Sequence, residues 1–101
     1  MAIGRLSAAQ VEQLIGGLAC ETDRVVFTHH ARARMRERLI TQDMVLEVLR
    51  RGRLAREPEP NLCFGTLECR MERYLAGRRI AAVVAIADDD PTLLVVTVIN
   101  A

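Results

Sequence analysis

The sequence predicts an α+β domain: an antiparallel sheet of about four to five strands with two helices packed on one face and one extra helix at the N-terminus. Three observations carry this. Thr66 to Leu75 alternates apolar and polar residues with a period of two, Ile80 to Ala87 and Leu93 to Ile99 are short apolar runs, and residues 30–38 and 41–51 carry helical spacing behind threonine caps.

In order, Ser7 followed by Gln10 is a capping-box signal, with Leu6 and Val11 placed as a staple and Leu14, Ile15 and Leu18 continuing the stripe. Arg24-Val-Val-Phe-Thr28 is β-branched and aromatic and predicts a short strand, after which Thr28 is placed to cap a helix over about His30 to Arg38. Thr41 caps the next helix, whose apolar face is Val45, Val48 and Leu49 and whose stop is Gly52. A strand is expected from Arg53 to Glu57, a loop through Pro58, Pro60 and Asn61, then the alternating strand. Ala76-Gly77-Arg78 turns the chain, and Asp88-Asp89-Asp90-Pro91 joins the last two strands. Those last strands are apolar on both sides, so both faces need cover. The second and third helices suit one face; the first helix, a partner chain or a dimer mate is expected over the other. The division is residues 1–22 as a helical extension and 23–101 as the core.

At 101 residues, 50% hydrophobic and 27% charged, the chain supports one core and has the balance of a folded domain. No apolar run approaches the roughly 18 residues of a membrane span, and no basic segment leads into an apolar signal, so a cytoplasmic location is expected. Cys20, Cys63 and Cys69 form no C-x-x-C pair, which points to reduced thiols. Cys63 and Cys69 with His29 and His30 match no familiar zinc spacing, so no metal is expected. Glycine-rich phosphate loops and H-E-x-x-H are absent, and no cofactor is expected.

The net charge of +1 hides an asymmetry. Residues 24 to 56 hold nine arginines against Glu37, Asp43 and Glu47, a surplus of six, which leaves the rest of the chain at minus five. A local basic segment on a nearly neutral chain implies an anionic partner such as a phosphate backbone. The complete absence of lysine fits bidentate phosphate recognition and fits a GC-rich coding sequence better.

Residues four apart share a helix face, so His30, Arg34 and Arg38 form a ridge of one imidazole and two fixed cations. Histidine can transfer protons near neutral pH, and arginines can hold phosphate and stabilise charge on a pentacovalent phosphorus. The same ridge also reads as a solvated basic face. On the alternating strand, Glu68, Arg70, Glu72 and Tyr74 share one side and supply a carboxylate, a phosphate clamp and a phenol, or else ordinary cross-strand ion pairs. With only Phe27, Phe64 and Tyr74 aromatic, no platform for stacking several bases exists.

The segment Phe27-Thr-His-His-Ala-Arg-Ala-Arg-Met-Arg-Glu-Arg-Leu through Gly52 resembles the opening of the bacterial family called domain of unknown function 4258: an aromatic, H-A-x-x-R-M-x-x-R, an apolar residue, a capped helix and a glycine stop. Leu94 to Val98 is similar to the family's last strand. The resemblance covers about residues 25 to 100 and aligns the family histidine with His30 and the family arginines with Arg34 and Arg38. It departs at Leu39, where the family commonly has glycine. The order strand, two helices, antiparallel strands resembles the RelE and BrnT ribonuclease toxins, and family members are often regarded as toxin-like partners of small antitoxins. What the resemblance implies is a metal-independent endoribonuclease in which a 2′-hydroxyl attacks the adjacent phosphate. His30, Arg34 and Arg70 would be catalytic, and Arg32, Arg34, Arg38 and Tyr74 would contact nucleic acid. The partners would then be RNA, a small antitoxin protein and a second copy of the chain. The rival expectation is a non-catalytic module that uses the same arginines to hold nucleic acid or an acidic protein.

Overall fold

In the computed structural model, which describes residues 5–87 and 91–100, the architecture is organised around a hairpin of two ten-residue strands, β4 (Thr66–Leu75) and β5 (Arg78–Ala87). Alternation dictates β4: Leu67, Cys69 and Met71 are buried while Glu68, Arg70 and Glu72 are half-buried on the other side. Ala76 and Gly77 turn the chain with φ of 53° and 77°. Positive φ at both central residues is the twist that two-residue hairpins require, and Gly77 adopts it without strain.

The other strands are β1 (Val25–Phe27), β2 (Arg53–Leu54), β3 (Glu59–Asn61) and β6 (Leu93–Asn100), in the order β1-β6-β5-β4-β2, with β3 also on β4. The sheet thus has six strands, and it is mixed: β1 runs parallel to β6 at one edge while every other pair is antiparallel. The strand expected over 53–57 stops at Leu54, and the stretch expected as loop contains β3, whose Pro60 sits in an edge strand where its missing N–H does no harm. The aspartates at 88 to 90, expected to be a solvated turn, lie outside the described residues.

The helices are α1 (Ala8–Ala19), α2 (His29–Arg38) and α3 (Gln42–Arg51). Ser7 Oγ accepts from Gln10 N at 3.2 Å and Gln10 Oε1 accepts from Ser7 N at 2.9 Å, so the capping box forms. Thr28 and Thr41 cap α2 and α3 as expected. All three helices contribute to one core with the same side of the sheet: Val11 and Ile15 of α1, Ala31 and Met35 of α2 and Val45, Val48 and Leu49 of α3 cluster with Met71, Ile80, Val84 and Val95. The first helix therefore does not cover the second face of the sheet. On that face Ala81 and Val83 are buried between Arg70 and Glu72 of β4 and Thr97 and Ile99 of β6, their register partners, with no helix of the described residues above them. Small side chains in the central strand let longer neighbours shield them.

A bulge shifts β6 by one residue: Val84 pairs with Val95 but Val83 with Thr97. The extra residue, Val96, is why Leu93, Val95 and Val98 all reach the core despite their uneven spacing. A fully buried side chain such as Ile80 or Ile86 contributes about 2 kcal/mol, against under about 1 kcal/mol for an exposed ion pair. The hairpin core, and not the surface charges, therefore holds the fold.

Two turns define sharp constraints. Leu39 ends α2 in the left-handed conformation at φ 54°; its N–H donates to Arg36 O and that of Ile40 to Met35 O, and Met35 and Ile40 are both buried. Where the family commonly has glycine, the same turn forms around an exposed leucine. At Gly52 an added Cβ would lie 2.2 Å from Val48 O and 2.7 Å from Glu72 O, both main-chain atoms. Gly52→Ala must push α3 away from β4 and is expected to lower unfolding free energy by about 2 kcal/mol or more, as for overpacked core sites. Leu39→Gly removes left-handed strain of about 1–2 kcal/mol and returns part as backbone entropy, giving a net gain of about 0.5–1 kcal/mol. Urea unfolding of both variants measures these shifts.

Candidate functional site

Helix α2 presents the expected basic ridge, but its members are not equally available. Ala31 and Met35 set the buried stripe, and at 100° per residue Arg38 lies only about 60° from Met35 around the helix. Arg38 is accordingly half-buried, with Nη1 3.5 Å from Val98 O, a long contact. Arg34 is bound by Glu37, Nη1 to Oε2 at 2.7 Å. His30 is exposed and has no partner among the described residues. Arg32 lies over the Phe27 ring at 5.1 Å from its centroid. Arg36 is the helix's arginine without any partner among the described residues, and the ridge pattern did not single it out.

Other arginines serve the architecture. Arg50 Nε donates to Ala19 O at 2.8 Å, Arg78 donates to Arg38 O at 2.6 Å and to Leu39 O at 2.5 Å, and Arg73 Nη1 donates to Arg51 O at 3.1 Å. Each helix thus ends against a guanidinium, where the final carbonyls lack intrahelical partners and the helix dipole favours a cation. Arg73 Nε is buried and lies 3.5 Å from Glu47 Oε2, an ion pair that falls short of hydrogen-bond geometry.

The second set lies on the sheet face that no helix among the described residues covers. Glu68, Arg70, Glu72 and Tyr74 point to this side, and antiparallel pairing sets Arg53 opposite Glu72 and Arg79 opposite Tyr74. Arg70 Nε lies 2.8 Å from Glu72 Oε2, and Arg79 Nη1 lies 3.6 Å from Glu72 Oε1. Two guanidinium groups therefore hold one carboxylate, and Arg53, its register neighbour on β2, is exposed and has no partner among the described residues. Tyr74 is 68% exposed and its hydroxyl donates to Gly77 O at 3.2 Å. Arg51, Arg53, Glu72, Arg73, Tyr74 and Arg79 line an open cleft of about 570 Å³.

The expected site is thus divided. His30, Arg32, Arg34 and Arg38 belong to the helical layer, whereas Arg70 and Tyr74 lie across the sheet with Arg53 and Arg79, which sequence reasoning missed. Arg79 was legible as a neighbour of Tyr74 once the Ala76-Gly77 turn fixed the register; Arg53 arrives through a strand pairing that no local pattern announces. A family model described as Domain of unknown function (DUF4258) matches residues 27–100. The chain belongs to this family. The DUF4258 match takes in both candidate surfaces and leaves α1 outside. No curated protein and no solved structure matches the chain. Among the described residues of this DUF4258 protein, no helix is long and apolar enough to cross a membrane and no three His, Cys, Asp or Glu gather as a metal site.

Cys20 and Cys63 are exposed, while Cys69 is buried on the core side of β4. Burial, reinforced by the neighbouring Glu68 charge, pushes its thiol from 9.0 up to about 12. Since the unfolded chain ionises at the lower value, stability is expected to fall as pH rises above about 9 and to keep falling towards 12. Urea midpoints measured across that range should show a shallower decline in Cys69→Val than in the wild type.

Proposed function

We propose that this protein is a metal-independent endoribonuclease whose site is the open sheet face, with Glu72 as the base and Arg53, Arg70 and Arg79 as phosphate clamps. One observation carries the reading: two guanidinium groups, of Arg70 and Arg79, converge on the Glu72 carboxylate, which with Arg53, Arg79 and the exposed Tyr74 lines an open cleft. Glu72 retains lone pairs for a 2′-hydroxyl proton while the arginines neutralise charge growing on phosphorus. The 2′-oxygen forms its bond to phosphorus, the bond to the 5′-oxygen breaks, and Tyr74 or water returns a proton to the leaving oxygen. The products are a 2′,3′-cyclic phosphate and a 5′-hydroxyl. The strand, two helices and antiparallel strands resemble RelE and BrnT toxins, which supports the same reading by analogy, and such a protein would pair with a small antitoxin. His30, across the sheet, serves RNA contact in this scheme rather than proton transfer.

The second reading is a module that binds nucleic acid without cleaving it. It is favoured by the engagement of both Glu72 oxygens with guanidinium groups, an arrangement that equally makes an ion-pair network.

Purified protein incubated with end-labelled single-stranded RNA and EDTA decides between them. Cleavage to cyclic-phosphate ends is expected, falling about 100-fold or more in Glu72→Gln and Arg70→Ala with binding retained in Glu72→Gln, while His30→Ala stays near wild type. Salt-sensitive binding without cleavage selects the second reading. Cleavage that is lost in His30→Ala and intact in Glu72→Gln would return the chemistry to α2.

A further inference from the structure

Beside the C-terminal end of α2 lies a surface that the proposed chemistry does not use. Arg32, Met35, Arg36, Leu39, Ile40 and Gln42 line an open groove of about 490 Å³ between α2 and α3. Its floor is apolar, formed by the buried Met35 and Ile40, and one wall carries the guanidinium groups of Arg32 and Arg36. Arg36 has no partner among the described residues, and the one contact found for Arg32 is with the Phe27 ring.

Leu39 stands at the rim, 81% exposed, in a left-handed conformation that glycine adopts without strain. A large apolar side chain held in solvent at a strained position opposes both the hydrophobic effect and the backbone preference. Residues maintained against local stability concentrate at binding surfaces.

We infer that this groove binds an acidic amphipathic segment of a partner protein: an apolar side chain of the partner seats against Leu39, Met35 and Ile40, and flanking carboxylates pair with Arg32 and Arg36. Charge complementarity selects this occupant. Two arginines beside an apolar floor match carboxylates spaced around an apolar anchor, and burial strengthens bidentate pairing. A nucleic-acid strand fits less well, because the floor offers no donor to its phosphates and the adjacent aromatic ring, Phe27, is already covered by Arg32. The inference goes beyond the ribonuclease reading and does not require it.

The test is a random dodecapeptide display library panned on the full chain, with Leu39→Gly as the counter-selection target, followed by fluorescence anisotropy of the recovered consensus peptide. The expected consensus has two or more Asp or Glu around a Leu or Phe. Its affinity is expected to fall about tenfold or more in Leu39→Gly and in Arg36→Glu, the size of a hot-spot truncation, although Leu39→Gly is the more stable protein. RNA cleavage by Leu39→Gly should match wild type, so failure here is separable from failure of the ribonuclease reading. A consensus without acidic residues, equal binding to Leu39→Gly, or competitive displacement of the peptide by a single-stranded RNA oligonucleotide overturns the proposal.

Discussion

The placement of α2 on the sheet depends on Thr28. Its hydroxyl accepts from Ala31 N at 3.0 Å, which starts α2, and donates to Val96 O at 3.0 Å, which satisfies the bulge carbonyl of β6, while its main-chain N–H donates to Val95 O at 3.1 Å. One residue thus joins the end of β1, the first turn of α2 and the irregularity in a strand 68 positions away. Parallel pairing of β1 with β6 has no local turn to set it, so a fixed point of this kind determines where α2 lies and which of its faces meets solvent.

From that placement follows a division of labour among the arginines. A guanidinium can close a helix, brace an ion pair or hold an external anion, and only a cation not already engaged is available for the last. Arg50, Arg73 and Arg78 are engaged at the ends of the three helices, and Arg34 by Glu37. Among the described arginines without a partner, Arg53 and Arg36 stand one on each side of the sheet, each beside a cleft. Part of the arginine content therefore serves helix termination rather than binding.

Several features were legible because they are local. The alternation in β4, the Ser7 capping box and the threonine caps of α2 and α3 each need only neighbouring residues, and each forms; Gly52 does end α3, but in an extended conformation and against Glu72 O of β4. The Leu39 turn is instructive in another way: the sequence departs there from the glycine of the resemblance, yet Met35 and Ile40 bury together and the left-handed turn forms with leucine in it. Among candidate site residues, the shared side of Glu68, Arg70, Glu72 and Tyr74 followed from period two. The union of His30 with Arg70 did not follow from anything local, and the sheet stands between them.

By itself the sequence determined the α+β class, the positions of the helices and long strands and the inner and outer faces of β4, because periodicity and capping act over a few residues. Only the tertiary structure decided that β1 joins β6 in parallel, that α1 packs on the same side as the other helices, and that Arg79 joins Arg70 on Glu72 while His30 lies in the helical layer. Those outcomes depend on pairing between segments distant in the chain, where register and burial are fixed by the whole core and no short pattern records the partner.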